Sequence, residues 1–339
     1  MKIFTYFITL SNWNSFLQSL TKEYTTYGLE KLEKDLLWKK ASFEDVPNLS
    51  SNVYCAIQPL KQFLFPLKEE VTGEPAGKKV LVIGAKSCDL MHLFTTDSMF
   101  KGGILVDPYY ALKRENLTII SADCDAVKPS CFCTLMGVNP YPEKGFDLNI
   151  TPVSSGFIVE TGSDKGEALI SGRSNLFEEP RKDHLAEREA FRQRMVKTVN
   201  EVNKEYTWKD PKSIVESHFD SPLWFEADAK TCVECDACRF TCGTCYCFLL
   251  SETKKLWEKQ RNWDSCQSTG YWRTAGGGSP RKTRTSRRRN FLMCKLSFRP
   301  KNFGSYACTG CGRCVDVCQG KIDIRRTLQK LSEEKKPQE

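Results

Sequence analysis

The chain has 339 residues, 40% of them hydrophobic and 27% charged, the make-up of an ordinary soluble globular protein with room for two cores. Its longest clean apolar run, Val80 to Ala85, is far too short to span a bilayer, and the opening MKIFTYFITL lacks the small-residue cleavage site of an export signal. A cytoplasmic setting is expected, where seventeen cysteines are better explained by metal ligation than by disulfides.

In chain order, the first element is a strand or helix start over the opening ten residues. Val80–Ala85 (VLVIGA) is the β-branched run of a strand buried on both faces. Gly84 ends it, and Ser87 is placed to cap a helix that begins at Cys88, Asp89 and Leu90. Ile104–Val106, closed by Asp107–Pro108, and Leu117–Ile120 read as further strands, and Gly156–Glu160 as part of a hairpin. This succession predicts an α/β N-terminal domain with a mostly parallel sheet over residues 1–175.

From Glu178 the chain becomes charge-rich, with Phe191, Met195, Val199 and Val202 recurring every three or four residues. That pattern predicts one amphipathic helix, a charged connector within a linker spanning residues 176–222. A C-terminal domain is expected over 223–330, followed by a polar tail over 331–339.

Two cysteine runs dominate that domain. CVECDACRFTC places Cys232, Cys235, Cys238 and Cys242 in the spacing C-x2-C-x2-C-x3-C, and CTGCGRCVDVC repeats it with Cys308, Cys311, Cys314 and Cys318. Two-residue gaps let one tight loop supply three thiolates to a cube of iron and sulfide, while the fourth cysteine of such a run ligates the other cube in two-cluster ferredoxins. Zinc sites usually pair two C-x2-C hooks across a longer spacer, which this spacing does not provide. The runs therefore predict a two-cluster ferredoxin-like, α-helical domain that stores and passes single electrons. With about two negative charges on each loaded cube, the formal charge of +8 falls to roughly +4, and no nucleic-acid partner is called for.

Sixty-five residues separate the two runs, a long insertion for such a domain. It carries Trp257, Trp263 and Trp272, a triple glycine at 276–278, and the string RKTRTSRRR at 281–289, which reads as a solvated loop. Nine cysteines lie outside the runs. Cys245, Cys247 and Cys266 offer three thiolates, and Cys88, Cys124, Cys131 and Cys133 make a set of four, so either group is a candidate for an additional, third cluster. Cys55 and Cys294 look solitary, as buried cysteines packing like small hydrophobes. No G-x-G-x-x-G or phosphate-loop motif is present, so any flavin or nicotinamide belongs to another subunit.

The residues GAKSCDL, DPYYALKREN, SCFC with FDLNITP behind it, the first run with TCYCF, then WDSC, and CTGCGRCVDVC with KIDI carry a resemblance in order and spacing. The chain is similar to the iron–sulfur beta subunit of cytoplasmic sulfhydrogenases and, equally, to the corresponding iron–sulfur subunit of anaerobic sulfite reductase. The resemblance implies a subunit without chemistry of its own. It would relay electrons between a flavin- and NAD(P)H-binding diaphorase subunit and a catalytic subunit of hydrogenase, sulfite reductase or heterodisulfide-reductase type. It also implies two [4Fe–4S] clusters with crossed ligation, one on Cys232, Cys235, Cys238 and Cys318 and the other on Cys242, Cys308, Cys311 and Cys314. The chain departs from the pattern where Gly243 and Gln319 replace the proline after each run, and in the unusually basic segment 284–298. Two other readings are a catalytic protein using an open cluster on the N-terminal cysteines, and a zinc-stabilised interaction module.

Overall fold

A computed structural model describes residues 3–33, 35–45, 53–253 and 258–334; Trp257 and the last five residues of the expected tail lie outside them. Strand β1 (Thr5–Thr9) leads directly into helix α1 (Leu10–Leu20), whose first turn is capped by the Thr9 hydroxyl. Then follow β2 (Thr25–Leu32), β3 (Asp35–Ala41), β4 (Lys68–Glu70), β5 (Val80–Ala85), α2 (Ser87–Phe100), α3 (Pro108–Asn116), β6 (Leu117–Ala122), the hairpin β7 (Leu148–Val153) and β8 (Gly156–Thr161), α4 (Asp164–Ser171) and α5 (Lys182–Val202).

Seven strands form one sheet in the order β1-β8-β7-β6-β5-β2-β3. The central four, β7-β6-β5-β2, run parallel, as the VLVIGA run suggested, and antiparallel neighbours close both sides. Strand β5 shows why its sequence is apolar throughout. Leu81 and Ile83 enter the core that faces α1, while Val82 and Ala85 enter the core on the opposite face with Leu90 and Leu93 of α2.

Ile104–Val106 is not a strand. It is an exposed bend, with Ile104 and Leu105 at 104% and 85% of full exposure. Both sides of β5 are already paired, with β6 and β2, so this segment has no ladder to join. Helix α5 buries Phe191, Met195 and Val199 as their spacing required. It lies against β7, β8 and the turn at Cys133–Met136, so it is a packed layer of the sheet domain. Arg192 fixes it there through an ion pair to the buried Asp123 at 2.8 Å.

The remaining elements are α6 (Pro211–Ser217), α7 (Ala237–Phe240), β9 (Phe248–Glu252), β10 (Lys259–Trp263), α8 (Arg284–Met293), α9 (Arg299–Phe303), α10 (Arg313–Asp316) and α11 (Ile324–Glu333). The insertion between the cysteine runs is ordered where it is described: β9 and β10 pair with β4 from the N-terminal half in a second, three-stranded sheet. The basic string is no solvated loop either. Residues from Arg284 on form α8, capped by Thr283, and Arg287 and Arg288 are buried. Among the described residues no helix is long and apolar enough to cross a membrane.

The two halves share packing. Phe132 and Met136 sit in the same core as Trp224, Phe291, Leu296 and Leu328. Phe132 N donates to Gly310 O at 2.8 Å, and Arg313 is locked between Asp89 at 2.5 Å and Ala56 O at 2.6 Å. Gly310 and Gly312 have φ of +68° and +77°, and a Cβ on either would run into the backbone of Phe132 or Ser130. Gly312→Ala should therefore lower the thermal midpoint clearly, costing at least the ~1–2 kcal/mol of a left-handed residue with a side chain. Gly276→Ala, in open space, should stay within about 0.5 kcal/mol. Parallel melts of the two variants check this, and equal midpoints would contradict so tight a junction.

Candidate metal centre

The two cysteine runs adopt one backbone conformation. In the first, Glu234 and Asp236 flank Cys235 with φ of 57° and 59°; in the second, Gly310 and Gly312 flank Cys311 in the same left-handed region. Each loop then enters a one-turn helix, α7 or α10, and these helices touch. Such alternation turns successive amide N–H groups to the inside of the loop, an arrangement that receives anions. The Glu234 amide donates to the Cys232 sulfur, and the Gly310 and Arg313 amides donate to Cys308 and Cys311. The first loop holds two side-chain-bearing residues where the second has glycines, a conformation that costs each about 1–2 kcal/mol.

Cys242 crosses from its own run to the second. It lines a small cavity with Cys308, Cys311 and Cys314, whereas Cys318 does not line it. Cys318 instead lies in the charge field of Cys232 and Cys238 and accepts from Ile322 N at 3.3 Å. Cys235 is exposed, beside the exposed Val233. Among the described residues no three Cys, His, Asp or Glu side chains are placed to hold one metal ion.

His92 of α2 forms part of the cavity wall, with its Nε2 2.8 Å from the Thr309 hydroxyl. Burial lowers its pKa to about 4, so the imidazole is neutral near pH 7, and its buried Nδ1 has no partner among the described residues. A Cβ at position 243 would overlap the His92 ring, which accounts for glycine where the pattern has proline.

Around the cysteines stands a shell of buried cations. Lys295 Nζ is 3.1 Å from both Cys242 Sγ and Cys245 Sγ. Burial works against its ammonium, yet those two sulfurs outweigh burial and hold it above the ordinary lysine range. Arg288 reaches Cys238 Sγ at 3.7 Å while paired with Asp228 at 2.5 Å, and Gln267 Nε2 reaches the same sulfur at 3.3 Å. Arg239 Nη2 lies 2.8 Å from Cys247 Sγ, and Arg299 stacks on Tyr246 at 4.1 Å. Among the described residues, no carboxylate pairs with Lys295, Arg239 or Arg299. A buried cation is costly unless an anion compensates it, and cysteine thiolates with an anionic metal–sulfur group fit that need. No feature of the sequence marked these cations except that three of them lie in or beside the basic segment.

The remaining cysteines separate into two groups. Cys247 and Cys266 hydrogen-bond to each other, and Cys247 is the one that meets the Arg239 guanidinium, in whose charge field Cys245 and Cys294 also lie. Cys88, Cys124, Cys131 and Cys133 line a second cavity together with Cys55, which sequence spacing had left alone.

Known proteins share this pattern. Residues 231–322 match the family described as 4Fe-4S dicluster domain. Over 270 residues, 78% of this chain and 78% of the relative, the chain is 29% identical to sulfhydrogenase 2 subunit beta of Pyrococcus furiosus. The resemblance to sulfhydrogenase beta subunits read from the motifs is thus borne out.

Reduction adds negative charge to such a group, so a neighbouring buried cation favours the reduced form. Lys295→Met should make one centre harder to reduce, lowering its potential by on the order of 100 mV, the one-electron equivalent of a unit charge about 5 Å away at an effective dielectric of about 20. Lys301→Met, at an exposed site, should shift it far less because solvent screens that charge. Potentiometric titration followed by electron paramagnetic resonance reads both.

Proposed function

We propose, from a chain whose residues 231–322 are a 4Fe–4S dicluster domain, that the protein is an iron–sulfur electron-relay subunit of an oxidoreductase complex. It carries single electrons between a flavin- and NAD(P)H-binding diaphorase subunit and a catalytic subunit of hydrogenase, sulfite-reductase or heterodisulfide-reductase type. The observation that carries this reading is the pair of cysteine loops sharing one left-handed turn conformation, amides aimed at sulfur, inside a shell of buried cations.

When bound, a [4Fe–4S] group supplies a one-electron couple and no proton chemistry. The protein's own part is positioning and charge. Cys232, Cys235, Cys238 and Cys318 would hold one group, and Cys242, Cys308, Cys311 and Cys314 the other, with the fourth ligand of each set crossing to its neighbour's loop. The crossing ties the two sites into one rigid unit. Exposure of Cys235 and Val233 gives the first site an edge at the surface, where a partner's redox group can approach. Lys295, Arg288 and the loop amides lower the cost of the added electron. The partners follow from the resemblance, which rests on the similarity to a sulfhydrogenase subunit.

Anaerobically purified protein should be brown, and its dicluster domain should bring about eight iron and eight sulfide per chain. Cys242→Ala should abolish the signal of the site lined by the second loop and leave the other, while Cys318→Ala should do the reverse. Loss of the same signal in both variants would refute the crossed assignment. A colourless protein with stoichiometric zinc would refute the relay itself.

A further inference from the structure

The second cysteine-lined cavity belongs to neither loop of the dicluster domain. It opens at the carboxyl ends of the parallel strands β5 and β6, the edge at which open α/β sheets bind their ligands. Cys88 lies on the first turn of α2 after β5, and Cys124, Cys131 and Cys133 follow β6. Cys55 comes from the segment after β3. Five cysteines from three separate parts of the chain thus line one hollow together with Cys311 of the second loop, and its other walls include Tyr54, Val127, Pro140 and Val199.

The hollow and the cavity of the second cysteine loop are alike in size, about 30 Å³ against about 20 Å³. The two are neighbours: Cys311 lines both, and Cys55 Sγ lies 3.8 Å from the Cys311 carbonyl oxygen. Positive charge is at hand from the buried Lys86 and from Arg313, which is held by Asp89. This is the same combination found in the dicluster domain, converging cysteines in a mainly apolar hollow with buried cations beside them.

With Cys311 serving its own loop, the five remaining thiols exceed the four corners of a cube, and the geometry resolves the excess. Cys55 and Cys88 are hydrogen-bonded to each other. Ligands to different irons of one cube stand apart, so thiols in hydrogen-bond contact can serve only one corner between them. One of the two is then the fourth ligand and the other its hydrogen-bond donor, and Cys55, 3.8 Å from the Cys311 carbonyl oxygen, is the one beside the neighbouring site.

We propose that Cys55, Cys124, Cys131 and Cys133 hold a third iron–sulfur cluster, of the four-iron type, at the carboxyl edge of the sheet, with Cys88 donating a hydrogen bond to the Cys55 sulfur. The inference rests on the relay reading and extends it. Each electron that arrives reduces this site by one as the site of Cys242, Cys308, Cys311 and Cys314 is oxidised by one, with no bond made or broken and no proton moved. The α/β domain then becomes one end of the wire, next to the site of the second loop.

The full chain, reconstituted anaerobically with ferrous iron and sulfide, should bind about twelve iron, three cubes of four. Cys55→Ser and the double variant Cys131→Ser/Cys133→Ser should each fall to about eight while keeping the dicluster signals, which also reports that the variants are folded. Cys88→Ala should keep about twelve iron and lower the potential of one centre, because it removes a donor to sulfur that favours the reduced form. Wild-type protein saturating at about eight iron, or N-terminal variants that retain twelve, would overturn the third site. Loss of four irons in Cys88→Ala, with none lost in Cys55→Ser, would overturn the ligand assignment. Failure to reach even eight iron in wild type would instead strike the dicluster reading, so the two ideas fail separately.

Discussion

The structure depends on compensation between buried cations and sulfur. Lys295, Arg239 and Arg299 are fully enclosed, and among the described residues they meet thiols, carbonyls and aromatic faces but no carboxylate. Unanswered, each would cost several kcal/mol. A ligated thiolate at Cys242 would supply that charge to Lys295, and Lys295 would in turn make an added electron tolerable. Folding of this region and cofactor retention would then be two aspects of one charge balance, to which the basic segment contributes Arg288 and Lys295.

A second constraint is the seam between the halves. The loop of Cys308 to Cys314 packs so closely on Ser130 to Cys133 that two of its residues must be glycine, and Arg313 reaches across to Asp89 and Ala56. On the other side, β4 joins the insertion strands β9 and β10. Distance between redox sites governs electron transfer, so a relay benefits from a junction with no slack. The arrangement also explains Gly243: the imidazole of His92, from the sheet domain, occupies the space a proline ring would need.

Much of this was legible in the residues. The VLVIGA strand, the Leu117 strand, the hairpin at Gly156 and the amphipathic stripe of α5 all formed where their patterns placed them. Three readings changed for tertiary reasons. Ile104–Val106 has strand composition but no free ladder beside it. The arginine string looks solvated in sequence, yet Arg287 and Arg288 turn inward because carboxylates and sulfur await them there. Cys55 appears alone because its companions are at least thirty residues distant along the chain and meet it only across the sheet edge.

The spacing of the two cysteine runs pointed to iron–sulfur chemistry by itself, since the two-residue gaps that gather three thiolates in one loop are local. The periodicities likewise determined a parallel-centred sheet and one long packed helix. What only the folded chain decided is which distant groups share a hollow and which charges are buried together. Those are long-range facts, set by how the layers stack, and no local pattern of residues encodes them.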